Sequence, residues 1–298
     1  MNTVAVVLLN FNSTRLTKKC VQSIQESKDK DLQCKILVWD NDSTQTPKTA
    51  DFPGCELVLS KKNLGFAGGY NNAIVRATHL FKPDYLLVLN NDTRVSPGMV
   101  EKLIATFKKS EDVGAVVPKI YFEKGHEFHE SDYSKDERGK VIWYAGGEID
   151  WANMIPFHIG VDEVDRGQFE SVMNVEFASG CCFLTTPKIW KTMGGFDEKY
   201  FMYFEDVDWS LRLRRKGLQI YYLPEAHMYH LNAGSTGGSG SPIHNYYQSR
   251  NRLRFGLRFG SLRTRLALLK EAKNIYERGT KEERLGILDA LEGRWGKH

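Results

Sequence analysis

The chain has 298 residues, 41% of them hydrophobic and 26% charged, with a formal net charge of +4. This is an ordinary globular composition, long enough for one large domain or two modest ones, and too mildly basic to point by itself to nucleic acid. No run reaches the roughly 18 apolar residues of a membrane span, and the five cysteines, at 20, 34, 55, 181 and 182, form no CxxC pair, a pattern that suits a reducing cytosol better than a disulfide scaffold.

The opening MNTVAVVLLNFN lacks a basic segment and a cleavage site, so it reads as a strand and not as a signal peptide. Residues 4–9 are a continuous apolar run, the mark of a strand covered on both faces. An amphipathic stretch at 14–27 follows, with Leu16, Cys20, Val21 and Ile24 at helical spacing. CKILVWDND gives a second strand, ending at Asp40, and CELVLS a third. NLGFAGGYNNAIVRATHLF reads as a loop leading into a helix that turns Ala73, Ile74, Ala77 and Leu80 inward. DYLLVLNND is a fourth strand, PGMVEKLIATFKKS a helix with Pro97 near its first turn, and VGAVVPKIY another strand. This β-α-β-α order predicts an α/β fold, a mostly parallel sheet with helices on both faces. In such sheets ligands bind beyond the carboxyl ends of the strands. Three strands end in polar residues: Asn10-Phe11-Asn12, Asp40-Asn41-Asp42-Ser43 and Asn90-Asn91-Asp92. A turn explains any one of them; three at the same edge predict a shared binding site.

After Tyr121 the pattern changes. Residues 123–140 are charged and irregular, an expected exposed loop in which His126 and His129 are solvated. VIWYAGGEIDW and VEFASGCCFLTT are expected strands of a second half facing the ligand edge, with Cys181 and Cys182 packing as small apolar residues. In GGFDEKYFMYFEDVDWSLRLRRKG a glycine turn precedes Asp197 and Glu198. The aromatics Tyr200, Phe201, Tyr203 and Phe204 follow, and Glu205-Asp206-x-Asp208 opens a helix stopped at Gly217. Helix capping explains one or two acids, not five beside packed aromatics. LQIYYLPEAHMYHLNAGS gives a strand, a proline turn, His227 and His230. The glycine-serine stretch at 232–241 reads either as a flap closing over the site or as a linker.

Taken in order, VVLLNFNS, VWDNDST, KNLGFAGGYNNAI, LLVLNNDT, SGCCFLTT, GGFDEKYFMYFEDVDWSLRLRRKG and YHLNAGS resemble the family 2 inverting glycosyltransferases of the GT-A fold, over residues 3–254. The rhamnosyltransferase-like branch is similar in its Asn-Asn-Asp-Thr strand end. The resemblance implies a GT-A (Rossmann-like) domain at 1–242, with a nucleotide-binding half at 1–120 and an acceptor and catalytic half at 121–242, then a basic helical extension at 243–298. It implies nucleotide contacts from Asn10, Asn12 and Asp40, the last to the base, and from a loop carrying Asn63, Gly65 and Asn71. Asn90, Asn91 and Asp92 stand where the family often carries Asp-x-Asp, which holds the ribose and the metal on the diphosphate. Asp206, beside Glu205, would be the catalytic base, and His230 would join Asp92 around a divalent cation, Mn²⁺ or Mg²⁺. Asn90 departs from the pattern and leaves Asp92 as the one anionic metal ligand of that strand. The implied reaction is inverting transfer from a nucleotide-diphosphate sugar, dTDP-rhamnose first and a UDP-hexose next, to a hydroxyl of a glycan or lipid-linked acceptor. Its setting would be cytoplasmic synthesis of a bacterial surface polysaccharide.

The chemistry suits these residue types: a carboxylate takes the acceptor proton, and a hard cation offsets the charge of the leaving diphosphate. Spacing alone leaves a retaining mechanism open. His227-x-x-His230 lacks further ligands for zinc, and Asp206 and Asp208 at i, i+2 of a helix point apart. GFAGGY is not a dinucleotide fingerprint, and no Walker A motif occurs. A sugar-1-phosphate nucleotidyltransferase would be expected to carry a glycine-rich basic loop where LLNFNSTRLTKKC stands, and the intact Glu205-Asp206 argues against a degenerate scaffold subunit. Toward the C-terminus, Arg250, Arg252, Arg254, Arg258, Arg263, Arg265, Lys270 and Lys273 face only Glu271 in the local sequence and interleave with Leu253, Phe255, Leu257, Phe259, Leu262, Leu266 and Leu269. This segment reads either as a helix packed on the domain or as a surface in peripheral contact with the anionic inner face of a membrane; nucleic acid is not an expected partner. Residues 274–298 are expected to form a terminal helix and a frayed tail.

Overall fold

The computed structural model describes residues 1–27, 32–232 and 240–298. The flap expected around 232–241 lies almost wholly outside the described residues. The first half alternates as the apolar pattern requires: β1 (Asn2–Asn10), α1 (Thr14–Glu26), β2 (Leu32–Asp40), β3 (Glu56–Leu59), α2 (Gly65–Phe81), β4 (Tyr85–Asn90), β5 (Thr93–Val95), α3 (Met99–Phe107) and β6 (Val113–Phe122). The second half is built of shorter pieces: β7 (Ile142–Tyr144), β8 (Gly147–Asp150), β9 (Ile155–His158), β10 (Met173–Asn174), β11 (Cys182–Thr185), α4 (Pro187–Met193), α5 (Glu205–Arg215) and β12 (Gln219–His230). Three helices close the chain, α6 (Pro242–Phe259), α7 (Leu262–Arg278) and α8 (Lys281–Glu292).

The main sheet runs β10-β12-β6-β11-β4-β1-β2-β3, with β5 on β12 and β7 on β6. Pairing is parallel for β1 with β2 and β4, for β2 with β3, and for β12 with β6. Helices cover both faces, so residues 4–8 of β1 and 86–89 of β4 are wholly buried. The antiparallel insertion of β11 between β4 and β6 joins the two halves. It also brings the residues just before β11 to the edge where β4 ends.

Local departures from the sequence expectations have simple causes. Leu80 is exposed because Phe81 takes the inward position in the last turn of α2. Pro97 lies in the turn before α3, whose cap is Gly98 at φ +74°. The expected proline turn after residue 223 is instead a register shift within one long strand: Pro224 has no N–H, and a bulge is where a sheet tolerates that. Residues 175–181 cross to β11 without forming the expected strand. Among the described residues no disulfide forms, and Cys181 and Cys182 are buried.

The C-terminal extension also differs. Arg250 is buried and bonds to main-chain carbonyls, Arg252 pairs with Glu271, Arg254 with Asp197, and Arg258 with both Asp197 and Asp208. The basic charge of α6 is therefore largely neutralised by acids far away in sequence. The tail is not frayed: the Gly296 N–H donates to Lys199 O, and Trp295 lies 4.6 Å from the Arg254 guanidinium.

Candidate active site

The ends of β1, β2 and β4 are joined by a continuous chain of hydrogen bonds, buried at Asn10 and Asp40. Asn10 sits opposite Asp40, and Leu9 opposite Asn90. Asp40 Oδ1 accepts from Asn10 Nδ2 and Ser43 Oγ, each at 2.6 Å, and its Oδ2 accepts from the Ser43 N–H at 3.1 Å. Asn10 Oδ1 accepts from the Thr17 hydroxyl at 2.7 Å, and Thr17 accepts in turn from Asn91 Nδ2 at 2.7 Å. Asn12, at φ +53°, takes the Thr44 N–H on its Oδ1 and gives its own N–H to Ser43 Oγ. Asn10, Asn12, Asp40 and Asn91 thus form one rigid polar floor. The sequence placed Ser43 in the polar end of β2 without giving it a role, and it passed over Thr17, a hydroxyl at an inward position of the amphipathic α1.

A loop packs over this floor. Asn41, placed by the sequence at the polar end of β2 without a role of its own, is buried; its Oδ1 accepts from the Leu64 N–H, and its Nδ2 donates to Asn63 Oδ1 and Gly65 O, all at 3.0 Å. Asn63 Oδ1 accepts a further bond from the Gly65 N–H. Gly65 has φ +71°, and a Cβ there would lie 2.4 Å from Phe201 O, so the position requires glycine. Asn71 departs from the expectation. It stands within α2 and exchanges two 2.9 Å bonds with the main chain of Phe196, with a third to Glu198. Both ends of its amide are spent bracing α2 against the 195–198 turn, apart from the loop at 63–65.

The acidic cluster divides by function. Asp197 and Asp208 serve structure: Asp208 is fully buried between Arg212, Arg258 and the Tyr200 hydroxyl. Asp206 turns the other way, and its carboxylate accepts from the N–H groups of Gly180 and Val207, each at 2.8 Å. The next residue, Cys181, accepts at its carbonyl from the Asn90 N–H at 2.8 Å. Two consecutive residues, Gly180 and Cys181, therefore link Asp206 to the end of β4. Beyond it, Asp92 Oδ1 lies 3.1 Å from His230 Nε2, at the point where β12 pairs with β5. His227 faces the opposite side of β12, among Tyr121 and Tyr229, which removes the paired-histidine zinc reading.

Burial raises the proton affinity of both Glu205 and Asp206, and the neighbouring Asp206 charge raises that of Glu205 further. Asp206 alone has N–H donors from Gly180 and Val207 to hold a negative charge. Of the pair, Glu205 is pushed further toward its protonated form. Glu205 Oε2 is buried with no partner among the described residues, as is Nδ1 of His230. The 3.1 Å between Asp92 Oδ1 and His230 Nε2 matches the separation of neighbouring ligands on an octahedral ion with bonds of about 2.1 Å. Among the described residues no group of three or more His, Cys, Asp and Glu side chains is placed to hold a metal.

Residues 2–253 match the family described as glycosyltransferase like family 2. The chain belongs to that family. This glycosyltransferase is 29% identical over 213 residues to an N-acetylglucosaminyl-diphospho-decaprenol L-rhamnosyltransferase of Mycobacterium tuberculosis, covering 68% of each chain. It is 23% identical over 236 residues to the rhamnosyltransferase WbbL of Escherichia coli K12, covering 76% of this chain and 83% of that one. The fold is similar to that of GalNAc-T7 solved with UDP, GalNAc and Mn²⁺, at a TM-score of 0.61 and 15% identity, over 98% of this chain and 57% of the other. The enzyme is a GT-A glycosyltransferase that moves a sugar from a nucleotide-activated donor to an acceptor.

Proposed function

We propose that this glycosyltransferase transfers rhamnose from dTDP-rhamnose to a hydroxyl of a lipid-linked glycan acceptor, with inversion, in the synthesis of a bacterial surface polysaccharide. The observation that carries the reading is the pair of consecutive residues, Gly180 and Cys181, that bind Asp206 through the Gly180 N–H and the end of β4 through the Cys181 carbonyl. It brings a carboxylate able to act as a base beside the edge where the nucleotide diphosphate would lie. The names of the mycobacterial and E. coli relatives support rhamnose and, for the former, a lipid diphosphate acceptor.

In this reading residues 1–120 hold the nucleotide. Asn10, Asn12, Asp40 and Asn91 shape the floor, Asn63 and Gly65 the loop over it, and Asn90 faces the ribose. Asp206 removes the acceptor proton as the acceptor oxygen bonds to the anomeric carbon and the bond from that carbon to the diphosphate breaks. The neutral Glu205 keeps a second negative charge away from the base. Asp92 and His230 would hold a divalent cation, Mn²⁺ or Mg²⁺, which neutralises the charge growing on the leaving diphosphate. The imidazole ligand favours Mn²⁺.

Residues 1–242 are the proposed catalytic domain, and the helices after them its support. The outward face of α7 carries exposed Leu262, Leu266 and Leu269 beside Arg263, Lys270 and Lys273. This is the part of the extension suited to rest on anionic lipid at the cytoplasmic face, since the arginines of α6 are spent internally. No helix among the described residues is long and apolar enough to cross a membrane.

A thermal-shift screen of nucleotide sugars with and without Mn²⁺ tests the donor, because a ligand bound by the folded state raises its stability. The largest shift is expected with dTDP-rhamnose plus Mn²⁺. A larger shift with a UDP-hexose would replace the donor, and no shift with any nucleotide sugar would remove the reading. An NMR assignment of the product's anomeric configuration tests inversion.

A further inference from the structure

We propose that Asn251, backed by Arg250, is a positioning residue that fixes the base Asp206; the inference rests on the reading of Asp206 as that base. Asn251 is fully buried on α6, and its amide nitrogen donates to three carbonyls of a single short segment: Tyr200 at 3.0 Å, Met202 at 2.7 Å and Tyr203 at 3.0 Å. Its Oδ1 accepts from Arg250 Nε at 3.0 Å. Arg250 is itself buried, and its guanidinium donates to Lys199 O, Tyr200 O and Gly296 O. Two adjacent residues of α6 thus hold the main chain of 199–203 from behind.

That segment needs holding. Phe201, Tyr203 and Phe204 have φ of +65°, +66° and +72°, a left-handed conformation that side chains with a Cβ rarely adopt and that persists only where the surroundings impose it. Glu205 and Asp206 follow immediately. On its far side Phe201 O accepts from the Ala67 N–H at 3.1 Å and abuts Gly65. The segment is therefore clamped between α6 and the loop at 63–65, and its last residue sets where α5 starts. Arg254 and Arg258 of α6 add ion pairs to Asp197 and Asp208, whereas Arg252 leads elsewhere, to Asn153 O and Glu271. Where the segment relaxes, the Asp206 carboxylate leaves the Gly180 N–H, a bond that lowers its proton affinity.

The test compares Asn251→Ala with Glu271→Gln, which breaks the Arg252 pair and leaves the clamp intact. Hydrogen exchange of peptides covering 200–207 and 180 needs no donor; turnover of dTDP-rhamnose with Mn²⁺ against pH supplies the kinetic reading. Asn251→Ala is expected to speed exchange in both peptides and to lower kcat by about 10–100-fold, the order produced by a misplacement of roughly 1 Å. Donor KM should stay within about threefold, and the acid limb of kcat should move to higher pH. Glu271→Gln is expected to change neither the exchange of these peptides nor the acid limb. A folded Asn251→Ala enzyme with wild-type exchange, kcat and acid limb overturns the proposal, as does a loss that Glu271→Gln reproduces. If Asn251→Ala does not fold, Asn251→Ser, which keeps one donor, is judged by the same outcomes. Wild-type turnover in Asp206→Asn would sink the base assignment; an inactive Asp206→Asn beside a fully active Asn251→Ala would sink the clamp alone.

Discussion

Replacing Gly65 with alanine probes the contact between the loop at 63–65 and the segment leading to Asp206. The new Cβ would stand 2.4 Å from Phe201 O and 2.5 and 2.6 Å from two carbons of the Phe201 ring, at a backbone φ of +71°. A left-handed conformation costs a residue with a Cβ about 1–2 kcal/mol, and overpacking adds about 1–3 kcal/mol. The total is about 2–5 kcal/mol. For a chain of 298 residues, with an unfolding entropy of about 2.1 cal/mol/K per residue, this corresponds to a Tm lowered by about 3–8 °C. If the two segments separate to relieve the overlap, both the loop and the approach to Asp206 shift by roughly 1 Å, which is worth about 100-fold in rate. Calorimetry gives the Tm, and turnover at 25 °C of protein that is still folded gives the rate. A Gly65→Ala enzyme with Tm within about 1 °C of wild type and turnover within about twofold would refute the contact.

Other outcomes follow from the same geometry. Glu205 has a folded-state proton affinity raised by burial and by Asp206, so the stability tied to its proton is complete below the ordinary carboxylate range and is lost as pH rises through the raised value. Glu205→Gln should therefore gain in Tm over wild type as the pH goes from about 5 to about 9; a gap that does not widen would contradict the assignment of the proton to Glu205. Thr17→Val removes the hydroxyl between Asn10 and Asn91; Asn91 keeps its bond to Ser13 Oγ, but the buried Asn10 Oδ1 is left unpaired at about 1–3 kcal/mol. Denaturant unfolding should show that loss, whereas an unchanged midpoint would mean that the chain of bonds is not continuous. Asp92→Asn should raise the Mn²⁺ concentration for half-maximal activity by at least about tenfold; an unchanged Mn²⁺ dependence would move the cation elsewhere.

The parallel half of the fold was legible because fully buried strands are continuous apolar runs, and their alternation with amphipathic helices aligns the strand ends. Asn10, Asp40 and Asn91 meet for that reason. The antiparallel sense of β11 was not legible, since CCFLTT is apolar in either direction, yet it places Gly180 against Asp206. The polar end of β2 was visible, but what Asn41 and Ser43 do within it, and that Thr17 joins them, lies in partners distant in sequence. The arginines of α6 looked unopposed because Asp197 and Asp208 lie 50–61 residues upstream. The left-handed backbone at Phe201, Tyr203 and Phe204 runs against what aromatic residues prefer, so no local propensity could announce it. Asn251, which holds that backbone, appears in the sequence as one amide within a basic helix.

The most direct measurement is turnover by Asp206→Asn alongside calorimetric titration with the nucleotide sugar that most stabilises the wild-type enzyme. Turnover is expected to fall by about 10²–10⁴-fold while donor affinity stays within a few-fold of wild type. Undiminished transfer, or transfer and donor binding lost together, would contradict a cleft in which the Asp206 carboxylate acts as the base.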